Sequence, residues 1–154
     1  MNPDEERVKQ FMKDHWIVGE FLTFEKSCHT VEEAAIAAST TVDEILKNIC
    51  LVDSSGRIII ATVMGKYHVS TERVGKALGV ERPRIATPQE IREKIGFPAG
   101  GVPSFGFSAI FLIDPTVMER ETVYTSGGSE NTLIKMSPIE LQKANDGKVV
   151  RFRK

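Results

Sequence analysis

One segment constrains the fold more than any other: the eleven residues G-F-P-A-G-G-V-P-S-F-G at positions 96–106. Its four glycines and two prolines rule out the continuation of a helix or of a central strand. The flanks are regular, since a capped helical pattern ends at Gly96 and an apolar run begins at Ser108. The segment is therefore either a surface connector or a loop whose backbone amides meet a ligand, which Gly100-Gly101 would let the main chain approach closely.

The composition is that of one soluble globular domain over residues 1–154, with 41% hydrophobic and 27% charged residues. A net charge of −1 and a pI near 6.3 argue against a general nucleic-acid-binding protein. Cys28 and Cys50 are too few for a disulfide framework, which favours a reducing compartment. The sequence has no visible signal peptide and no apolar run of membrane-spanning length. We therefore expect a cytoplasmic protein without membrane contact.

Hydrophobic periodicity and capping residues predict a mixture of hairpins and helices. The predicted helices span residues 3–15, 30–38, 41–47, 70–78, 87–95 and 137–144. The predicted strands span residues 18–24, 49–52, 57–63, 84–86, 109–113, 121–125, 133–136 and 149–152. This order favours an α+β domain built on one curved mixed sheet over a doubly wound parallel sheet.

Residues with an obvious chemical role are sparse. The histidines His15, His29 and His68 lie far apart, and none has metal-ligand spacing to a cysteine or carboxylate, so we predict no metal site. His29 follows Cys28, but adjacent side chains rarely face each other, and a surface or half-buried pair is the simpler interpretation. Serine-hydrolase, Walker and dinucleotide-binding fingerprints are missing from the sequence.

Lys47 is the most informative charged residue, because it ends the predicted Thr41 helix among apolar neighbours such as Leu46 and Ile49. One interpretation is a lysine favourably placed at a helix C-terminus, with its stem lying along apolar surface. The other is an ammonium at the edge of a pocket, where it engages a polar ligand group and burial lowers its pKa. The spacing alone favours the first interpretation.

Seven short segments occur in an order and spacing that is more specific than any one of them. They are T-V-E-E-A-A at 30–35, E-I-L-K-N-I-C-L-V at 44–52, V-G-K-A-L-G at 74–79, I-A-T-P-Q-E-I at 85–91, the segment at 96–106, F-L-I-D at 111–114 and S-G-G at 126–128. Together they resemble the YbaK/prolyl-tRNA-synthetase editing-domain family of trans-acting aminoacyl-tRNA deacylases over almost the whole chain. The resemblance implies that family's fold, a curved, barrel-like mixed sheet flanked by helices.

The resemblance also implies an activity: hydrolysis, without metal or cofactor, of the ester between a wrong amino acid and the 3′ end of its tRNA. The implied substrates are Cys-tRNA(Pro) or Ala-tRNA(Pro), and the implied partners are the mischarged tRNA and prolyl-tRNA synthetase. The family's lysine falls on Lys47, which would position the substrate, and backbone amides of the loop at 100–104 would hold the reacting carbonyl. The implied catalytic residues are Lys47, Gly100 and Gly101, and the implied substrate-binding residues are Phe24, Val102, Pro103, Ser104, Ser126, Gly127 and Gly128.

Two positions depart from the family pattern. The family loop usually keeps a proline four residues after its glycine, but here that position is Ser104, and the proline is one residue earlier at Pro103. The family often has an aspartate or histidine a few residues after the second glycine turn, where this chain has Leu133. Both departures bear on which amino acid is accepted rather than on the reaction class.

The C-terminal stretch is the one local concentration of positive charge, and it is opposed only by Asp146. It is either a solvated tail or a surface that meets tRNA phosphates. Its members are Lys143, Lys148, Arg151, Arg153 and Lys154.

Two further functions stay open at this point. One is a non-catalytic module that sequesters tRNA ends or docks on a synthetase, and the other is a small-molecule-binding or regulatory domain. The sequence also leaves the oligomeric state and the removed amino acid open.

Overall fold

The computed structural model describes residues 2–154, which contain helices and strands in mixed order. The strands are β1 (Glu20–Thr23), β2 (Leu46–Val52), β3 (Ile58–Met64), β4 (Arg84–Ile85), β5 (Ile110–Ile113), β6 (Val123–Ser126), β7 (Thr132–Met136) and β8 (Lys148–Val149). The helices are α1 (Pro3–Asp14), α2 (Val31–Ala37), α3 (Thr71–Leu78), α4 (Pro88–Glu90), α5 (Pro115–Met118) and α6 (Pro138–Asn145). None of the helices among residues 2–154 has the length and apolar character needed to cross a membrane.

The strands form two sheets rather than one. A three-stranded sheet has the order β1-β7-β6, and a five-stranded mixed sheet has the order β4-β2-β3-β5-β8. An isolated parallel bridge between Ile45 and Tyr124 connects them, and no closed barrel forms among the described residues. The α+β prediction is confirmed, and the single curved, barrel-like sheet is replaced by two sheets.

The β2–β3 hairpin is the centre of the larger sheet, and its two faces are both covered. Leu46, Cys50 and Ile60 belong to the main hydrophobic core, whereas Leu51 and Ile59 belong to a second core beneath α3 and the C-terminus. Burial on both faces explains why β3 is apolar along its length instead of alternating.

The first half of β2 has a partner on one side only. Strand β3 pairs with β2 along its whole length, whereas β4 pairs only with Leu51 and Val52. The edge of β2 before those residues is therefore open, and Lys47 lies on that half of the strand.

The predicted helix over residues 41–47 is wrong. A 3₁₀ turn, Val42–Glu44, replaces it, Thr41 makes no side-chain cap bond, and β2 has already begun at Leu46. Lys47 is thus a strand residue opposite Val63, and not the last residue of a helix. Pairing with β3 outweighs the local helix-start signal, because strand pairing buries Ile45 and Leu46.

The other helix and strand boundaries differ less from the predicted ones. The capping boxes predicted at Thr30 and Thr87 both form, but the helix from Thr87 widens into a π-helical segment over Ile91–Ile95. Between the predicted strands at 109–113 and 121–125 the chain forms the short helix α5, with Asp114 as its N-cap. The last predicted strand, at 149–152, is shifted to β8, which ends at Val149.

Candidate functional site

A cavity of about 240 Å³ opens beside the free half of β2. Its walls come from the start of α2 and the residues before it, the start of β2, the glycine-rich loop, the end of β6 and the start of β7. Much of the wall is apolar and is formed by Val31, Ala34, Ile45, Leu46, Ile49 and Leu133. The cavity is therefore shaped to enclose a small, largely apolar group.

The polar part of the wall contains three residues that the sequence singled out. Lys47, Gly100 and Ser126 line the same cavity, although 79 positions separate the first from the last. Val102, from the same loop as Gly100, also lines it. Strand β2, the glycine-rich loop and the end of β6 therefore converge on one space.

Lys47 is half-buried in this wall. Burial lowers the pKa of its ammonium below the usual lysine value, and the nearby Glu32 carboxylate acts in the opposite direction. A compact ammonium in such a position can hold a hydroxyl, a carbonyl or a phosphate oxygen of a ligand.

The two adjacent glycines of the loop face different neighbours. A Cβ on Gly101 would lie 2.6 Å from the Ser129 amide nitrogen and 2.7 Å from the Gly128 carbonyl carbon. Gly101 is therefore needed for backbone packing between the two glycine turns, rather than for contact with a ligand. Its amide donates to the Pro98 carbonyl at 2.9 Å, whereas the Val102 amide has no acceptor among residues 2–154.

Asn48 connects all three parts of the site through a buried hydrogen-bond network. Its Nδ2 donates to the Val102 carbonyl at 3.0 Å and to Thr125 Oγ1 at 3.1 Å. Its Oδ1 accepts from Thr62 Oγ1 at 2.7 Å and from Ser104 Oγ at 3.0 Å. Since every polar atom of the amide group is paired, the network fixes the loop and the end of β6 relative to β2.

Ser104 belongs to this network and not to the cavity wall. The residue is completely buried, its hydroxyl lies 2.7 Å from Thr125 Oγ1, and its carbonyl accepts from Asn145 Nδ2 at 2.9 Å. Ser104 therefore lies behind the cavity wall, and its assignment as a substrate-binding residue stays a prediction. The hydroxyl supplies hydrogen bonds where the family's proline would supply a rigid ring.

Four other residues assigned from the sequence lie behind the wall. Pro103, Gly127 and Gly128 are buried, and a Cβ on Gly127 would lie 2.9 Å from the Phe21 ring. Phe24 packs against the apolar cluster that contains Ala34 and Leu133. These residues shape the cavity from outside it, and the cavity-lining members of their segments are Val102 and Ser126.

Two wall residues were missed by reasoning from the sequence. Cys28 and His29 both line the cavity, and His29 lies 3.6 Å from the Glu130 carboxylate. Burial raises the pKa of the Cys28 thiol, and the Glu33 carboxylate adds to that effect. The sequence held no signal for the pair of His29 and Glu130, because the two residues are 101 positions apart.

Comparison with known proteins identifies the family. The model of the aminoacyl-tRNA editing domain family matches residues 25–144. The chain belongs to this family. The match contains β2, the glycine-rich loop and the turn after β6, so every wall of the cavity lies within the editing domain.

This editing domain is similar to a curated bacterial protein and to solved structures. Uncharacterized protein YwhH of Bacillus subtilis is 28% identical over 129 residues, which are 82% of this chain and 81% of that protein. A crystal structure described as "a putative trans-editing enzyme for prolyl tRNA synthetase" is 26% identical, with a TM-score of 0.92 and coverage of 100% of this chain and 99% of the other. The crystal structure of hypothetical protein APE2540 is 27% identical, with a TM-score of 0.89 and coverage of 96% and 99%.

The basic C-terminal residues of the editing domain contact separate parts of the surface. Lys143 Nζ donates to the Trp16 carbonyl at 3.0 Å, and Lys148 Nζ donates to the Ala77 carbonyl at 3.2 Å. Arg151 and Lys154 are exposed. The five residues therefore do not form one compact group.

Arg153 has a structural partner, and its assignment to the tRNA-binding group stays a prediction. Its Nε donates to Asp114 Oδ2 at 3.2 Å, and its guanidinium lies 5.0 Å from the centre of the Tyr67 ring. Asp114 is completely buried, and the neighbouring Phe152 is also buried in the second core. The end of the chain is thus part of the packed structure.

Proposed function

We propose that this editing domain hydrolyses the ester bond of a mischarged aminoacyl-tRNA in trans, with Cys-tRNA(Pro) and Ala-tRNA(Pro) as its substrates. The observation that carries the proposal is that Lys47, Gly100, Val102 and the apolar side chains of a small recess line one cavity. An aminoacyl ester is already activated, so a modest catalyst suffices. The activity would operate in the cytoplasm, where charged tRNA is used.

The apolar recess accounts for a small amino acid. Ala34, Ile45 and Leu133 are at most 4% exposed, and they form its floor. A charged side chain would lose its hydration there without gaining a partner, which is costly. A methyl or thiol group loses little hydration in the same place. The size and polarity of the recess therefore favour alanine and cysteine over aspartate or lysine.

The polar wall accounts for the reaction. Val102 lines the cavity, and its amide has no acceptor among residues 2–154, so it can donate to the oxyanion that forms when water attacks the ester. Such a donor typically contributes about 10²–10³ in rate. The Lys47 ammonium would hold an oxygen of the terminal ribose or its phosphate, which fixes the carbonyl near the loop.

A neighbour of known structure supports action in trans on tRNA(Pro). That protein, described as "a putative trans-editing enzyme for prolyl tRNA synthetase", matches this chain along its whole length. Prolyl-tRNA synthetase would then be the enzyme whose errors are corrected. The mischarged tRNA would be released by the synthetase before it reaches this domain.

The direct experiment measures deacylation of a panel of tRNA(Pro) charged with cysteine, alanine or proline. We expect cysteine or alanine to be released well above the spontaneous rate, and proline to be retained. A chelator should leave the rate unchanged, because no three metal-ligating side chains converge among residues 2–154. Binding of tRNA without hydrolysis of any ester would instead favour a non-catalytic module.

A further inference from the structure

A histidine and a glutamate meet at the mouth of the cavity. His29 Nδ1 lies 3.6 Å from Glu130 Oε1, and the two side chains are 54% and 61% exposed. His29 forms part of the cavity wall. An imidazole oriented by a carboxylate is the arrangement that proteins use to hold a general base.

The backbones that carry the pair are held together, although the side chains are half exposed. The Cys28 amide donates to the Glu130 carbonyl at 2.5 Å. The Phe24 amide donates to the Asn131 carbonyl at 2.9 Å, and Asn131 Nδ2 donates back to the Phe24 carbonyl at 2.9 Å. The segment before α2 is therefore fixed to the turn between β6 and β7.

Gly100 lies directly beside the pair. A Cβ at this position would lie 2.6 Å from His29 Nδ1 and 2.8 Å from Glu130 Oε1. Any larger residue would push the imidazole and the carboxylate from their present positions. A glycine here therefore leaves room for both side chains, and the imidazole lies beside the loop that contains the Val102 amide.

We propose that His29 is the general base of the deacylation and that Glu130 orients it. This inference rests on the proposed function. Glu130 would accept a hydrogen bond from Nδ1–H as the pair closes on substrate binding, which leaves the lone pair of Nε2 free to take a proton. The distance of 3.6 Å exceeds a hydrogen bond, and catalytic hydrogen bonds often shorten when substrate binds.

The proposed step balances without any further reactant. The water oxygen bonds to the ester carbonyl carbon while Nε2 takes one water proton. The bond between that carbon and the ribose oxygen then breaks, and the ribose oxygen receives the proton from the imidazolium. The products are the free amino acid and the tRNA 3′ end, and His29 returns to its neutral form.

Other wall residues are less suited to this role. As an ammonium, Lys47 has no lone pair to accept a proton, and it would gain one only by losing the charge that holds a substrate oxygen. The pKa of the Cys28 thiol is raised, which keeps it protonated and unreactive.

The test compares His29→Asn, Glu130→Gln and His29→Ala with wild-type protein on the preferred mischarged tRNA. We expect His29→Asn to lower kcat by about 10²–10³ while KM changes little. Glu130→Gln should lower kcat by about tenfold, since a half-exposed carboxylate orients its partner weakly. Added imidazole should restore part of the kcat of His29→Ala, because the side chain it replaces is open to solvent.

The control variants are His15→Asn, at an exposed histidine directly after α1, and Glu81→Gln, at an exposed glutamate after α3. Both should keep wild-type rates. An inactive wild-type protein would overturn the proposed function. If the wild-type protein is active and the kcat of His29→Asn lies within about threefold of the wild-type kcat, only the assignment of His29 as general base is overturned. A loss of rate in His29→Ala that imidazole does not relieve would also overturn the general base, in favour of a structural role.

Discussion

The glycine-rich loop at 96–106 and the C-terminal segment at 143–154 differ in the direction of their polar groups. Asn48 holds the loop against β2 by hydrogen bonds to the Val102 carbonyl and the Ser104 hydroxyl. Other loop residues, such as Gly100, then line the cavity. The basic groups of the C-terminal segment spread over several elements, and one of them, Arg153, is paired with the buried Asp114.

The difference teaches that a polar side chain is available to bind a ligand only where the fold leaves it without a hydrogen-bond partner. Ser104 and Arg153 are both polar and both part of segments typical of ligand contact. Each is already hydrogen-bonded to a buried partner. Four variant sets test the comparison, from the largest expected effect to the smallest.

Lys47→Ala should have the largest effect, because it removes the ammonium from the cavity wall. We expect kcat/KM for the mischarged tRNA to fall by about 10²–10³. The free energy of unfolding should not fall, since the ammonium is partly desolvated in the folded state. Lys47→Arg should recover little activity, because a planar guanidinium does not replace a compact ammonium.

The control for Lys47 is Lys135→Ala, at an exposed lysine on strand β7. It should leave kcat/KM unchanged. Because the pKa of Lys47 is lowered, its ammonium is lost at a lower pH than that of an exposed lysine. As the pH is raised, activity should therefore begin to fall at a lower pH than expected for an ordinary lysine. The residual activity of Lys47→Arg should not show this fall. Wild-type turnover by Lys47→Ala would contradict the assignment.

The adjacent glycines provide a matched pair of substitutions. Gly101→Ala places a methyl group against the Gly128–Ser129 backbone, which cannot move easily, so we expect a loss of about 1–3 kcal/mol in unfolding free energy. Gly100→Ala meets only the side chains of His29 and Glu130, so stability should change by less than about 1 kcal/mol.

The two variants should rank in the opposite order for catalysis: the one that costs less stability should lose more activity. Gly100→Ala displaces the proposed base and should lower kcat by about tenfold or more. The folded fraction of Gly101→Ala should keep a higher specific activity than folded Gly100→Ala. Thermal unfolding and single-turnover deacylation measure the two effects, and equal stability losses at both positions would contradict the packing argument.

Asn48→Asp tests the network that holds the loop. The change replaces the Nδ2 donor by a carboxylate oxygen opposite the Val102 carbonyl. The buried carbonyl then loses its hydrogen bond and faces a second oxygen that repels it. We expect a loss of about 1–3 kcal/mol in unfolding free energy, together with lower deacylation. Ser104→Ala should cost less, because Thr62 still donates to Asn48 Oδ1.

Denaturant unfolding measures both network variants, and exposed Ser54→Ala is the control for removing a hydroxyl. A double-mutant cycle between Ser104→Ala and Thr125→Val should show a coupling of about 0.5–3 kcal/mol, since their hydroxyls are 2.7 Å apart. Strictly additive losses would mean that the two hydroxyls act independently.

The double variant Arg151→Gln/Lys154→Gln should have the smallest effect. If these exposed groups meet phosphates, tRNA affinity should weaken, and the slope of log affinity against log salt should flatten by roughly 0.7–0.9 for each phosphate that is no longer neutralised. Hydrolysis of a minimal aminoacyl ester should be unchanged. Substitution is preferable to truncation here, because truncation would remove the buried Phe152.

The control is Arg57→Gln/Lys94→Gln, which removes two positive charges near the β2–β3 turn, at the other end of β2 from Lys47. An equal flattening of the salt slope in this control would show that the C-terminal residues have no special role. An unchanged slope in the test variant would mean that tRNA is held by another face.

The sequence by itself determined the local structure and the class of the fold. The capping boxes at Thr30 and Thr87, the β2–β3 hairpin and the α+β order all follow from residues within a few positions of one another. The family was also readable from the sequence, because the order and spacing of its segments survive in the chain. Where a local signal was overruled, as at residues 41–47, strand pairing with a distant partner was the cause.

Only the tertiary structure decided which polar groups face the cavity. The Asn48–Ser104 bond joins residues 56 positions apart, and the pair of His29 and Glu130 is still more distant in sequence. Burial of Ser104 and pairing of Arg153 with Asp114 are likewise set by the packing of remote segments. Residue type shows what a side chain can do, but solvent access and hydrogen-bond partners depend on long-range packing, and periodicity and capping signals reach only a few residues along the chain.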